Sequence, residues 1–136
     1  MISCKGNLEP ELFDQITPEN FLTNEDDVKT AVTGVYAEFR GISEWGRYKT
    51  SWGSVMTLQE VPTDLWAANW FYKAHTDFMW KATDYFVCEI FEFFVPAITK
   101  ATALIARIQD APVSDDIKNR YIAELRVARA LWMYDL

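Results

Sequence analysis

From residue 25 onward, apolar residues recur at helical spacing, and four helices can be read from them. Val28, Ala31, Val32, Val35, Tyr36 and Phe39 stand at i, i+3, i+4, i+7, i+8 and i+11, one continuous stripe of a helix over about 25–41. Thr23 or Asn24 can cap its free amides, Glu25, Asp26 and Asp27 favour the positive end of its dipole, and Gly41 sits where a C-terminal cap belongs. Gly34 inside it costs roughly 1 kcal/mol relative to Ala, which points to close approach of another helix. A second helix over about 44–60 carries Trp45, Tyr48, Trp52, Val55, Met56 and Leu58, and Pro62 ends it. Residues 61–83 then read as a long loop. The third helix covers about 84–109, with Asp84 as candidate cap and with Pro96 expected to kink or split it. Residues 85–98 are nearly all apolar, which predicts burial on most sides. After the break at Asp110-Ala111-Pro112, Ser114-Asp115-Asp116 starts a fourth helix that runs to the end of the chain. Ile117, Tyr121, Ile122, Leu125, Ala128, Leu131, Trp132 and Leu136 form its apolar face. Asp116–Arg120 and Arg120–Glu124 are i,i+4 pairs on the wet face.

The pattern predicts an all-α fold of paired helical hairpins, of the kind found in tetratricopeptide arrays, although no 34-residue self-similarity is present. Residues 1–22 form an extended leader whose Leu8, Leu12, Phe13, Ile16, Phe21 and Leu22 are expected to lie along a surface; residues 23–136 form the helical domain. Nothing in Met133-Tyr134-Asp135-Leu136 resembles a helix stop, and the apolar third helix asks for further neighbours. The expectation is therefore a stack that is incomplete at its C-terminus.

Charge narrows the function. Thirteen basic residues against 20 acidic ones give a net charge of −7. Nucleic acid and anionic membrane surfaces draw their protein partners through clustered Lys and Arg, so the charge argues against nucleic acid and disfavours an anionic membrane surface. Uncharged ligands such as sugars are indifferent to that sign. Cys88, inside an apolar helical run, reads as a small buried hydrophobe. His75 is the only histidine, and no metal-ligand spacing exists, so neither a metal nor a cofactor is expected. His75 also lacks a nucleophile or orienting partner, which makes it a structural or surface residue. The carboxylate pairs Asp26-Asp27 and Asp115-Asp116 sit at helix starts, where capping explains them, and Glu89 and Glu92 flank an apolar helix face. An enzyme is not indicated.

The informative stretch is 64–80, where six of 17 residues are aromatic: Trp66, Trp70, Phe71, Tyr72, Phe78 and Trp80. Asp64, Asn69, Lys73, His75, Thr76 and Asp77 are interspersed among them. Sugar recognition needs flat apolar faces for ring C–H groups and fixed polar groups for hydroxyls, and this connection offers both. Asp64, Trp66, Asn69, Trp70 and Tyr72 are the candidate ligand contacts. The alternative is that Trp66 and Trp70, four apart, form one turn of a short helix packed inward.

Three stretches, in order, resemble the N-terminal region of the SusD/RagB family. Asp26-Asp27-Val28 through Val35-Tyr36 is similar to its opening helix, where Gly-Val-Tyr follows an acidic start. Glu60-Val61-Pro62-Thr63-Asp64 is similar to the Thr-Asp that closes its second helix. Ala123-Glu124 through Arg129-Ala130, followed by Trp132, Tyr134 and Asp135-Leu136, resembles its Ala-Glu-x-x-x-x-Arg-Ala helix. Met1-Ile2-Ser3-Cys4 is similar to the end of a bacterial lipobox, without the charged and apolar stretches of a secretory signal. The third helix departs from the family pattern, with Phe91, Val95, Ile98 and Ala101-Thr102 at the family's marked places and Pro96 among them. The resemblance implies a lipoprotein anchored through Cys4 at the outer-membrane surface. It further implies a SusC-like TonB-dependent transporter as partner and an oligosaccharide as ligand, bound and not cleaved, with part of the glycan site following the second helix. The competing reading is a helical protein–protein scaffold whose ring-rich loop is an interface.

Overall fold

The computed structural model describes residues 21–40, 54–66 and 72–136. Helix accounts for 74% of the described residues and no strand occurs among them, so the chain is all-α. In order, the elements are α1 (Glu25–Tyr36), a 3-10 turn (Ala37–Arg40), α2 (Ser54–Gln59), α3 (Lys73–Thr76), α4 (Tyr85–Asp110) and α5 (Asp115–Asp135). Gly41, Trp45, Tyr48 and Trp52 of the sequence reading lie outside the described residues, as does Cys4.

The start of α1 resolves the choice of cap. Asn24 is extended, and its side-chain oxygen accepts from the Asp27 amide at 3.0 Å. Asp27 answers with its carboxylate, which accepts from the Thr23 hydroxyl (2.7 Å), the Thr23 amide (2.9 Å) and the Asn24 side-chain amide (2.9 Å). The Thr23 hydroxyl foremost, then these other donors, hold the Asp27 carboxyl below its ordinary value. The expected stripe is realised in Val28, Val32 and Val35, all buried, whereas Tyr36 is 41% exposed. The α-helix ends at Tyr36, earlier than the sequence signals indicated, by tightening into the 3-10 turn.

The frame is the α4–α5 hairpin. Lys118 Nζ donates to the Gln109 carbonyl (3.0 Å), and Arg129 donates to Thr102 Oγ1 (3.2 Å), so α5 runs antiparallel to α4. The break Ala111–Ser114 is extended at both helix ends, and the Ser114 hydroxyl oxygen caps α5 by accepting from the Ile117 amide. Along the seam, Phe94, Ala97, Ala101 and Ile108 meet Tyr121, Leu125, Ala128 and Trp132 in one sealed core. Each large side chain so buried is worth about 1.5–3 kcal/mol. Helix α1 and the 3-10 turn after it lie against both partners: Glu38 pairs with Lys100 of α4, the Tyr36 hydroxyl donates to Glu124 of α5 (3.1 Å), and Phe39 stacks on Trp132 at 4.4 Å. The last leader residues join this core, with Leu22 buried at a positive φ of 67° and Phe21 beneath the Arg107 guanidinium. Helix α2 packs on α4, burying Val55 and Thr57, and Gln59 donates to Asp135 near the end of α5 (3.3 Å).

Several expectations need correction. Pro96 does not split the third helix, which runs unbroken from Tyr85 to Asp110. Pro96 and Glu92, whose carbonyl the ring deprives of a donor, both lie on the exposed side, where water can serve the freed carbonyl. Nor is α4 buried on most sides: Phe91 is 61% and Val95 38% exposed. Cys88 is half-buried, its thiol donating to the Ala82 carbonyl at 3.4 Å. Asp84 occupies the N-cap position of α4 without capping it, because its carboxylate accepts from the Lys81 amide instead (2.8 Å). On α5, Leu131 and Leu136 are each 49% exposed and do not belong to the core. Of its two expected ion pairs, Arg120–Glu124 forms (3.4 Å), between side chains too exposed for it to matter much.

Gly34 shows no close approach either. A methyl group there would meet nothing within 4 Å. Gly34→Ala should therefore stabilise the protein by about 0.5–1 kcal/mol through the unfolded chain's lost freedom. Urea unfolding measures this, and a lower midpoint would mean that something does sit against that face.

Candidate functional site

The connection between α2 and α4 begins with a tight turn. Val61, 2% exposed, pins it to the core, and Thr63 closes it by donating from its amide (3.0 Å) and its hydroxyl (2.6 Å) to the Glu60 carbonyl. Pro62 follows the end of α2 at Gln59, where its missing donor leaves no helical hydrogen bond unmade. Beyond this anchor, Asp64, Leu65 and Trp66 turn outward. Leu65 is 83% exposed, and Trp66, which lies outside any helix, is 43% exposed. The alternative of one helical turn from Trp66 to Trp70 falls on residues 67–70, outside the described residues. Asn69 and Trp70 lie outside the described residues.

The chain then enters a stack of rings founded on Phe86, a sealed residue of the first turn of α4. Tyr72, half-buried, lies over Phe86 with ring centroids 5.7 Å apart and planes 23° from parallel. His75 meets Phe86 edge-on at 5.3 Å and carries Trp80 on its own face at 6.0 Å, nearly parallel at 10°. Phe78 stands next to Trp80 at 5.4 Å, tilted by 39°. Aromatic contacts of this sort add about 0.5–1.5 kcal/mol each beyond the area they bury. His75 is 5% exposed and neither ring nitrogen has a hydrogen-bond partner, so its role is that of a ring in a stack. That agrees with the structural reading of this residue.

Sequence reasoning treated 61–83 as loop throughout and missed α3. Four residues give less than one and a half turns, too few for an apolar period to register. The helix closes in a Schellman arrangement: the Met79 amide donates to the Ala74 carbonyl (2.8 Å) and the Phe78 amide to the His75 carbonyl (3.2 Å). That geometry requires a left-handed residue at the bend, and Phe78 supplies it with φ of 55°. Glycine normally fills such a place; a side chain with a Cβ pays roughly 1–2 kcal/mol there. Lys73 and Asp77 flank the bend as an exposed ion pair (2.7 Å).

Of the sequence candidates, Asp64 and Trp66 thus stand on the exposed turn, and Tyr72 is built into the ring stack. Phe78 and Trp80 belong to the same ring stack as Tyr72, joined to it through His75 and Phe86. No cluster of His, Cys, Asp or Glu able to hold a metal occurs among the described residues, and no helix among them is long and apolar enough to cross a membrane. The chain has no significant match among protein-family models, curated proteins or solved structures.

Proposed function

We propose that the protein captures glycans at the outer-membrane surface. It acts without cleaving them, as the lipid-anchored partner of a SusC-like TonB-dependent transporter, with Cys4 as the lipidated residue. The observation that carries the reading is the 64–80 connection. Its described residues hold Trp66 exposed beyond an anchored turn and Tyr72 and Trp80 packed over Phe86 and His75. Preorganised flat faces beside carboxylates and amides are what carbohydrate recognition uses. The ordered motif series, from the Gly34-Val35-Tyr36 helix through Thr63-Asp64 to Ala123-Glu124 and Arg129-Ala130, supports the same family reading. In this reading Asn69 and Trp70 complete the contacts begun by Asp64, Trp66 and Tyr72.

A second reading has its own support. Helix α5 leaves Val127, Leu131, Met133 and Tyr134 at 49–83% exposure, a surface suited to a protein neighbour. A scaffold that binds only protein would show no heat with any oligosaccharide in titration calorimetry. The capture reading expects saturable binding, weakened roughly tenfold in Trp66→Ala, the scale of losing one ring contact. Equal binding by wild type and Trp66→Ala would remove Trp66 from the site.

A further inference from the structure

We infer that Phe78, with Trp80 behind it, forms a second sugar-stacking subsite for neutral glycans; this inference rests on the capture function proposed above.

The starting point is a conflict between backbone and side chain. The Schellman bend after α3 is well formed by its two backbone hydrogen bonds, and its left-handed position asks for glycine. An aromatic residue stands there instead. Strain of this kind persists where the side chain serves something other than the fold. Burial does not compensate for it, because Phe78 is 68% exposed. Its ring is nonetheless held: Trp80 lies against it, Trp80 rests flat on His75, and His75 is wedged against Phe86 of α4. A strained, exposed ring on a supported base presents a fixed flat face to solvent. Such a face suits the C–H side of a pyranose, since little freedom remains to be lost on binding.

Charge assigns the class of sugar. On residues 60–84, Glu60, Asp64, Asp77 and Asp84 outnumber Lys73 and Lys81, and Lys73 is already engaged by Asp77. A uronate or sulfated glycan would meet net repulsion here, whereas an uncharged one would not.

Phe78→Gly separates the two roles of the ring, since it gives the bend the residue it prefers while removing the stacking face. Affinity electrophoresis in gels containing soluble starch, xylan, galactomannan or polygalacturonate provides the binding readout, and thermal unfolding provides the other. The expected result is retardation of wild type by at least one neutral polysaccharide and a roughly tenfold weaker effect in Phe78→Gly. The melting temperature of the variant should hold or rise slightly, because relief of the strained bend offsets the lost contact with Trp80. Unchanged retardation of Phe78→Gly overturns the subsite and leaves the capture function standing. A lower melting temperature overturns it too, by showing that the ring serves the fold. Stronger retardation by polygalacturonate overturns the neutral class. No retardation of wild type in any gel removes the capture function, and the subsite with it.

Discussion

Trp132→Ala is expected to cost about 3–5 kcal/mol, a large share of the stability of a domain this size. Trp132 is the largest side chain sealed in the core, at 1% exposure. Its indole stacks on Phe39 at 4.4 Å and 27°, and Phe39 belongs to the turn that ends α1, so one ring pair ties α1 to α5. Truncation would open a cavity between two helices already fixed by the α4–α5 seam, and such sites collapse poorly. The indole N–H has no hydrogen-bond partner. That donor contributes a desolvation cost of about 1–3 kcal/mol, which Trp132→Phe would relieve while retaining most of the apolar area. The Phe variant should therefore lie within about 1.5 kcal/mol of wild type, far from the Ala variant. Urea unfolding of the three proteins provides the comparison. If Trp132→Ala lay within about 1 kcal/mol of wild type, the α1–α5 junction would not rest on this ring.

The sequence foretold some of this structure and not the rest, for physical reasons. The spacing of Val28, Val32 and Val35 and the caps at Asn24 and Ser114 located α1 and α5 because each signal is local. The two ends of α4 lay within one residue of the expected 84 and 109, since Asp84 and the Asp110-Ala111-Pro112 break mark them. Faces were harder. On α5, Val127, Leu131 and Tyr134 form one apolar row and Leu125, Ala128 and Trp132 another beside it. Both satisfy a helical period, and only the second is sealed. The same ambiguity placed Phe91 and Val95 in the interior, when the buried residues of 85–98 are Phe86, Ile90, Phe94 and Ala97. The site was legible as composition and illegible as geometry. The ring-rich stretch could be counted, but nothing in the residue type announces Phe78 as a left-handed residue, because that bend normally holds glycine.

Pro96→Ala should move stability in the opposite direction from Trp132→Ala, raising it by about 2 kcal/mol. Proline in a helix interior is about 3 kcal/mol less favourable than alanine, because it removes a donor and crowds the preceding turn. Pro96 sits mid-way along a helix of 26 residues, where those costs apply in full unless the local structure relaxes them. Exposure relaxes one part, since water can reach the Glu92 carbonyl. Proline also stiffens the unfolded chain, and losing that constraint takes back about 0.4–1 kcal/mol. The difference leaves a net gain near the value given. A rise in the urea midpoint without a change in slope is the expected observation. No gain, or a loss, would mean that Pro96 sets a bend on which the packing of Phe94 and Ala97 on either side of it depends. In that case the half of α4 before Pro96, which carries Phe86 and the ring stack above it, would owe its direction to the proline.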